Sequence, residues 1–409
     1  MTAPWLTLIG IGEDGRDGIS PAALRMVDHA TFIMGGERHL ELIGKSDAET
    51  KVWPKPFEQG IEIILARRGQ NTVILASGDP FFYGVGATLA RHIPPEEMLT
   101  LPAPSAFSLM ASRLGWAMQD CALLSLHGRP LERIAPHCQP HAKILSLTWD
   151  ETTIHRVADY LVTHGMGESV VAIGQALGGP REQIIKKTAQ AIQTTREKFD
   201  PLNTLGIEIK ASRGARILPL TSGLEDDLFE HDGQITKREI RAVTLSSLEP
   251  RQGQVLWDIG AGSGSVSIEW MLRHPANRAI AIEPRQDRAE RMLRNALSLG
   301  VPELQIVEGK APEALFGLPS PDAIFIGGGG TDPNVIDAAW AALPEGCHLV
   351  ANAVTIETQA DLMRRHVAMG GTLSKIEVSR ADPVGPFHGW RASMPVIQWV
   401  IVKGEEKRP

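Results

Sequence analysis

The sequence predicts an α/β protein built as two domains. Three observations carry this reading. Short apolar strands alternate with amphipathic helices along most of the chain, the pattern of sheets flanked by helices. The 409 residues exceed what one ordinary core serves, and roughly 200 residues per domain is the natural division. The composition also changes after residue 212, where turn formers and mixed charge replace clear periodicity up to about residue 222. The expected domains are therefore 1–212 and 220–409.

In the first half, LTLIGIG (6–12) reads as a buried strand ending in glycines. Ser20-Pro21 then opens a helix, with the serine as N-cap and the proline at the first helical position. Further strands are expected at 71–79, 121–128, 143–149, 169–177 and 203–209. TKREIRAVTLSSLEP (236–250) looks helical and ends at a proline; Thr236 and Glu239 have the spacing of a capping box.

The second half then runs strand (255–260), helix (264–274), strand (279–283) and helix (285–300). Ala289, Met292, Leu293, Ala296 and Leu297 share one helical face, and Gly300 serves as C-cap. The i, i+3, i+6 spacing of Arg285, Arg288 and Arg291 predicts a solvated face. Strands at LQIVEG, DAIFIG and HLVANAV follow, separated by helices. TLSKIEVSRA and PVIQWVIVKG, with no convincing helix between them, are expected to pair as an antiparallel hairpin at the sheet edge.

Composition narrows the function. The chain is 43% hydrophobic and 22% charged, and no run approaches the roughly 20 apolar residues of a membrane-spanning helix. The first residues carry no basic head of the kind that opens a signal peptide. Cys121, Cys138 and Cys347 lie far apart and form no C-x-x-C pair, which fits a reduced, cytoplasmic protein and argues against a structural zinc site or other metal centre. A net charge of −7 offers no general attraction for nucleic acid, so an anionic ligand must be held by local cations. No membrane or nucleic-acid partner is expected.

The strongest single motif is Asp258-Ile-Gly260-Ala261-Gly262-Ser263-Gly264, which follows a strand and opens a helix. Glycines there let backbone approach a ligand, and the helix N-terminus offers free N–H donors. Glu283 ends the next strand, where a carboxylate can accept both hydroxyls of a ribose. The dinucleotide fingerprint G-x-G-x-x-G would need glycine where Ser265 stands. Three readings remain at this point: S-adenosylmethionine, a nicotinamide cofactor, or a tight turn without a ligand. Ile326 is followed by Gly327-Gly328-Gly329-Gly330, which has no side chain to grip an amino nucleophile. N-methylation of a base is thereby disfavoured.

Several motifs resemble a known family. Residues 6–20, Ala76-Ser77-Gly78-Asp79-Pro80-Phe81-Phe82-Tyr83-Gly84 and Pro104-Ser105-Ala106 resemble the glycine-rich loop, the G-D-P loop and the following turn of the tetrapyrrole (corrin and porphyrin) methylases. The usual G-x-G-P-G of that first loop is replaced by Gly10-Ile-Gly12-Glu13-Asp14-Gly15. Ser125-Leu126-His127-Gly128-Arg129 resembles the branch that methylates C5 of the macrocycle. ITKREIR, the D-x-G-x-G-x-G loop, GKAPEAL, DAIFIGGGG and VANAVTIET, in that order, resemble the methylases acting at C15. Both halves on one chain resemble the decarboxylating corrin-precursor methylases with both activities.

The resemblance implies a two-lobed tetrapyrrole-methylase fold followed by a Rossmann-like class I methyltransferase fold. It implies two methyl transfers, at C5 in the first half and C15 in the second. Loss of CO2 from the C12 acetate goes with the second, converting precorrin-6B (also written 6Y) to precorrin-8X in cobalamin biosynthesis. Whether the substrate carries cobalt stays open. S-adenosylmethionine is the implied cofactor, the tetrapyrrole the implied partner molecule, and self-association into a homo-oligomer is expected.

The implied cofactor residues are Gly10, Gly12, Gly78, Asp79, Ser105, Ala106, Thr236, Asp258, Gly260, Ala261, Gly262, Ser263, Gly264, Glu283 and Ala311. Asp79, His127, Arg241 and His388 are the catalytic candidates, although Asp79 also suits an Asx-type turn and His127 a turn histidine bonded to backbone. Arginine forks suit the substrate's carboxylates, and Arg238, Arg241, Arg380 and Arg391 are candidates for that role.

Overall fold

A computed structural model describes residues 4–330 and 332–404. The chain divides into two compact units, one of residues up to Leu131 with His137–Arg216, the other of Glu132–Pro136 with the chain from Ile217.

The first unit holds two sheets. One contains β1 (Leu6–Ile11), β2 (Phe32–Gly35), β3 (Glu49–Val52), β4 (Thr72–Ser77) and β5 (Met98–Leu101), all parallel, in the order β3-β2-β4-β1-β5. Every residue of β1 is buried, which is why LTLIGI is continuously apolar rather than alternating. The second sheet contains β6 (Cys121–Ser125), β7 (Lys143–Leu147), β8 (Val170–Gln175), β9 (Gln183–Thr188) and β10 (Asn203–Glu208), in the order β6-β7-β10-β8-β9. Only β6 and β7 are parallel there. Two sheets match the two lobes that the resemblance implies. Ser20 caps its helix as expected, its side chain accepting from the Ala23 N–H at 3.2 Å with Pro21 as first helical residue.

The second unit is a seven-stranded sheet. Its strands are β11 (Val255–Ile259), β12 (Arg278–Glu283), β13 (Gln305–Glu308), β14 (Ala323–Ile326), β15 (His348–Ala353), β16 (Thr372–Ile376) and, after a separate ribbon of β17 (Ser379–Val384) and β18 (Phe387–Ala392), β19 (Val396–Val402). The order β13-β12-β11-β14-β15-β19-β16 is parallel through β15 and antiparallel beyond it. Its core packs Trp257, Ile324, Leu349 and Trp399 beneath flanking helices.

Three local expectations are corrected. TLSKIEVSRA does not form one strand but divides between β16 and β17, with β18 following before the last strand. The helix after the composition break runs Arg238–Leu248 with Lys237 at its N-cap and no side-chain cap bond, so Thr236 does not form a capping box. Arg288 and Arg291 are not a solvated face: both turn to Asp232, with side chains only 15% and 19% exposed.

Each unit has its own sheets and buried clusters, so each should fold alone. Chains cut at Arg216 and Ile217 are expected to give one cooperative urea transition apiece. A non-cooperative profile from both pieces would contradict independent cores.

Candidate active sites

Both cavities form at the carboxyl ends of parallel strands, where backbone N–H groups and helix N-termini converge. In the second unit a cavity of about 670 Å³ opens beyond β11, β12, β13 and β14. Gly260, Ala261, Gly262, Glu283 and Ala311 line it, and so does Thr236. At Gly260 a side chain is impossible: its φ is +72°, and a Cβ would lie 2.5 Å from the Gly328 Cα. The first residues of the four-glycine run therefore serve a close approach between two loops.

Glu283 is 2% exposed yet lines the cavity. Its carboxylate accepts from the Gly262 N–H at 2.9 Å and the Arg285 N–H at 3.1 Å. Two further lone-pair directions are left for a ligand. The expected loop residues Asp258, Ser263 and Gly264 do not line the cavity. A Cβ on Gly264 would meet Met292 Cγ at 2.4 Å, so this glycine serves packing of the helix behind the loop.

Asp258 acts on that helix. Its Oδ2 accepts from the Ser267 N–H at 3.1 Å and hydroxyl at 2.7 Å, satisfying an amide in the first turn of Ser265–Arg273 that the N-cap Gly264 cannot reach. Oδ1 has no partner among the described residues. Complete burial, opposed by the two Ser267 bonds and reinforced by the Glu283 charge, pushes the Asp258 carboxyl up to about 6.

Arg241 is corrected as a catalytic candidate. It is fully buried and does not line the cavity. Its guanidinium donates to Glu269, Asp226 and the carbonyls of Thr236 and Leu224, while Glu269 accepts from the Gly223 and Leu224 N–H groups. It thus holds Thr236 in the wall. His388 is exposed on β18 and does not line the cavity among the described residues. Arg238 and Arg391 lie outside it too, paired with Glu225 and Asp382. Arg380 does line it, paired with Glu239 at 2.5 Å.

Asp232 was not anticipated from sequence. Burial alone would raise its carboxyl, but the Gln234 N–H together with Arg288 and Arg291 outweighs that and brings it down to about 2. It anchors the Gly233–Gln234 part of the wall.

In the first unit a cavity of about 520 Å³ lies beyond β1, β4 and β5. Gly12, Gly78, Ser105, Ala106 and His127 line it. Gly10 does not: a Cβ there would meet the Gly78 carbonyl at 1.9 Å, so this glycine lets strand and loop touch. Asp79 also stays out of the wall, its Oδ1 accepting from the Phe81 N–H at 2.8 Å in an Asx-type turn. Ser105 caps the helix Ala106–Leu114 by accepting from the Ser108 N–H.

Arg38 and His39 enter this wall without a sequence signal, beside Ser77 of the G-D-P loop. Burial, aided by Arg38, lowers His39 to about 4, so it is neutral at pH 7. Its Nδ1 accepts from the Gly36 N–H, which leaves Nε2 to donate to the Ser77 hydroxyl at 2.8 Å.

Comparison with known proteins places this architecture. The family model for tetrapyrrole (corrin/porphyrin) methylases matches residues 5–193, and that for the precorrin methyltransferase domain matches 227–403. A precorrin-6Y C(5,15)-methyltransferase [decarboxylating] of a Sinorhizobium species is 52% identical over 405 residues, covering 99% of this chain and 98% of that protein. The chain belongs to this decarboxylating methyltransferase family.

Relatives of half the length carry single activities in their names. The cobalt-precorrin-7 C(5)-methyltransferase of Salmonella typhimurium is 35% identical over 44% of this chain and 88% of its own. A probable cobalt-precorrin-6B C(15)-methyltransferase (decarboxylating) of Pyrobaculum calidifontis is 41% identical over 43% of this chain and 93% of its own.

The family is enzymatic and uses S-adenosylmethionine as methyl donor. The residues present fit that molecule. Both volumes lie within the range of roughly 300–1,000 Å³ usual for small-ligand sites, and both walls combine close-approach backbone with polar groups.

Two outcomes test the second site. Glu283→Ala should weaken S-adenosylmethionine binding there by about 1.5–3 kcal/mol, roughly 10- to 100-fold in Kd, while leaving the first site unchanged by titration calorimetry. Equal affinity in parent and variant would remove Glu283 from the ligand. Asp258 has a folded-state pKa above its unfolded value of 3.8, so its contribution to stability is complete below pH 3.8 and is lost as pH rises through about 6. Asp258→Asn should flatten that fall, a difference on the order of 3 kcal/mol between the ends of the window. Urea unfolding of the full chain across this range measures it, and parallel parent and variant curves would contradict the assignment.

Proposed function

We propose that the chain methylates C5 and C15 of precorrin-6Y and removes CO2 from its C12 acetate. The single observation that carries this reading is the full-length match to a decarboxylating C(5,15)-methyltransferase, joined to two separate cavities suited to S-adenosylmethionine. The half-length relatives named for one activity each support a division of labour, which we place as C5 in residues 1–212 and C15 with decarboxylation in 220–409. A homo-oligomer in the cytoplasm belongs to the same reading, and sedimentation velocity tests the assembly.

S-adenosylmethionine, when bound, supplies an electrophilic methyl group. The chain's contribution is to orient and enclose. In the second unit we assign Glu283 and Thr236 to the cofactor, Gly260 to Gly262 to its close approach, and Arg380 to a substrate carboxylate. In the first, Gly12, Gly78, Ser105 and Ala106 hold the cofactor. The electron-rich ring carbons are nucleophiles without a strong base, and holding reactants in line can supply on the order of 7–11 kcal/mol of barrier lowering. Methylation leaves positive charge on the ring, which drains the electron pair released when CO2 departs. C15 methylation and decarboxylation therefore belong in one cavity.

Incubation with precorrin-6Y, with and without cobalt, followed by product mass, tests the reading directly; neither form being methylated would overturn it. Blocking variants test the division. Ala261 and Ala106 line the two cavities and neither has a positive φ, so a phenylalanine fills space without backbone strain. Ala261→Phe should abolish C15 methylation and CO2 release together. Ala106→Phe should yield decarboxylated product lacking only the C5 methyl group. Intact CO2 release in the Ala261 variant without C15 methylation would show that the two steps are uncoupled.

A further inference from the structure

The first unit carries an aromatic and cationic wall beside its cofactor loops. Tyr83, His127 and Arg129 line the same cavity as Gly12, Gly78 and Ser105. Trp149 extends that wall: its ring stacks on His127 with centroids 5.2 Å apart and planes 15° apart, and the residue is 58% exposed. Tyr83 is 45% exposed, so two open aromatic rings border this one cavity.

Several features build this wall at the expense of local comfort. Tyr83 has a φ of +55°, a left-handed conformation that a bulky residue rarely adopts and that concentrates at ligand sites. Its hydroxyl donates to the Leu123 carbonyl at 3.2 Å, and its ring meets Phe82 edge-on, so the position is held from both ends. His127 is fixed by its Nδ1 against the Thr148 carbonyl at 3.3 Å. Gly128 is needed between them: its φ is +66°, and a Cβ would lie 2.9 Å from Trp149 Cζ3. The Arg129 guanidinium sits 5.1 Å from the Tyr83 ring centroid, packed on the ring face. Each residue of His127-Gly128-Arg129 thus has a separate part in one surface.

We propose that Tyr83, His127, Arg129 and Trp149 form the macrocycle-binding wall of the first unit. The ring face lies against the aromatic side chains, and Arg129 takes a rim carboxylate through its N–H fork. The occupant follows from chemistry: a broad unsaturated disc rimmed with carboxylates matches exposed aromatics beside a stacked guanidinium, and the wall is continuous with the cofactor cavity. Stacking on Tyr83 orients the Arg129 fork before binding, which reduces the ordering needed on association. The inference rests on the methyltransferase reading above and deepens it.

The second unit supplies an internal control. Full-length Trp149→Ala and Arg129→Gln are assayed with precorrin-6Y, with the C5 and C15 steps separated by product mass. Each variant should raise the KM of the C5 step at least tenfold with a smaller change in kcat. C15 methylation and CO2 release should continue, so product lacking one methyl group accumulates. S-adenosylmethionine binding to the first unit, read by calorimetry, should stay unchanged and also reports that the unit is folded. Arg129→Lys should recover only part of the loss, because a point charge lacks the fork. An unchanged C5 KM in both Trp149→Ala and Arg129→Gln overturns the wall. Absence of all methylation by the parent chain would overturn the methyltransferase reading itself, and the wall with it.

Discussion

The second unit depends on one buried ion pair. Arg241 and Glu269 are both fully buried, and removing two charges from water carries a penalty of several kcal/mol per ion. The surroundings offset it bond by bond. The guanidinium also reaches Asp226 and two carbonyls, and the carboxylate also takes two backbone N–H groups. Removing either partner leaves an uncompensated buried charge, typically destabilising by about 3–5 kcal/mol. The pair joins the helix Ser265–Arg273, which starts at the glycine loop, to the helix Arg238–Leu248 and to the segment leading into it. Thr236 lies in the cavity wall, and its carbonyl is tied to that charge.

Two unlike folds place their cavities in the same way. In the first unit β1 lies between β4 and β5, and part of the cavity wall follows the ends of those three strands. In the second, β11 lies between β12 and β14, and the same holds for their ends and for β13. Parallel strands point their carboxyl ends one way, so the loops that follow converge on one rim. Each rim carries an acid: Glu283 in the second, and in the first Glu13, which is paired with Arg38 and shares the wall with a neutral histidine.

What was legible in sequence follows from how local each signal is. β1 was plain because six consecutive buried residues leave an apolar run, and the glycine loop because backbone approach demands a fixed spacing. β3 left no trace: all four of its residues are exposed, so ETKV carries neither run nor alternation. Phe387–Ala392 reads as a loop because a ribbon pairing only with β17 has no buried face to impose a pattern. Arg241 reads as a catalytic or carboxylate-binding candidate since its partner Glu269 lies 28 residues away, and no local pattern distinguishes a buried arginine from a solvated one. Glu269 did leave a signal, as a lone acid in the apolar run of its helix.

The second cavity also shows where catalysis must come from. Gly327, Gly328 and Gly329 form the wall at the end of β14, and they present backbone alone. A carbon nucleophile on an electron-rich ring needs no lone pair gripped and no strong base, so a featureless wall is compatible with its chemistry where an amino nucleophile would lack its partner. Arg380, paired with Glu239, keeps further N–H donors in the cavity wall. A cationic cavity would oppose both the charged cofactor and the positive charge that methylation leaves on the ring. Lys237, Arg288, Lys310 and Arg380 line the wall against Glu239 and Glu283, so the pairing of Arg288 with Asp232 and of Arg380 with Glu239 is what limits its positive field.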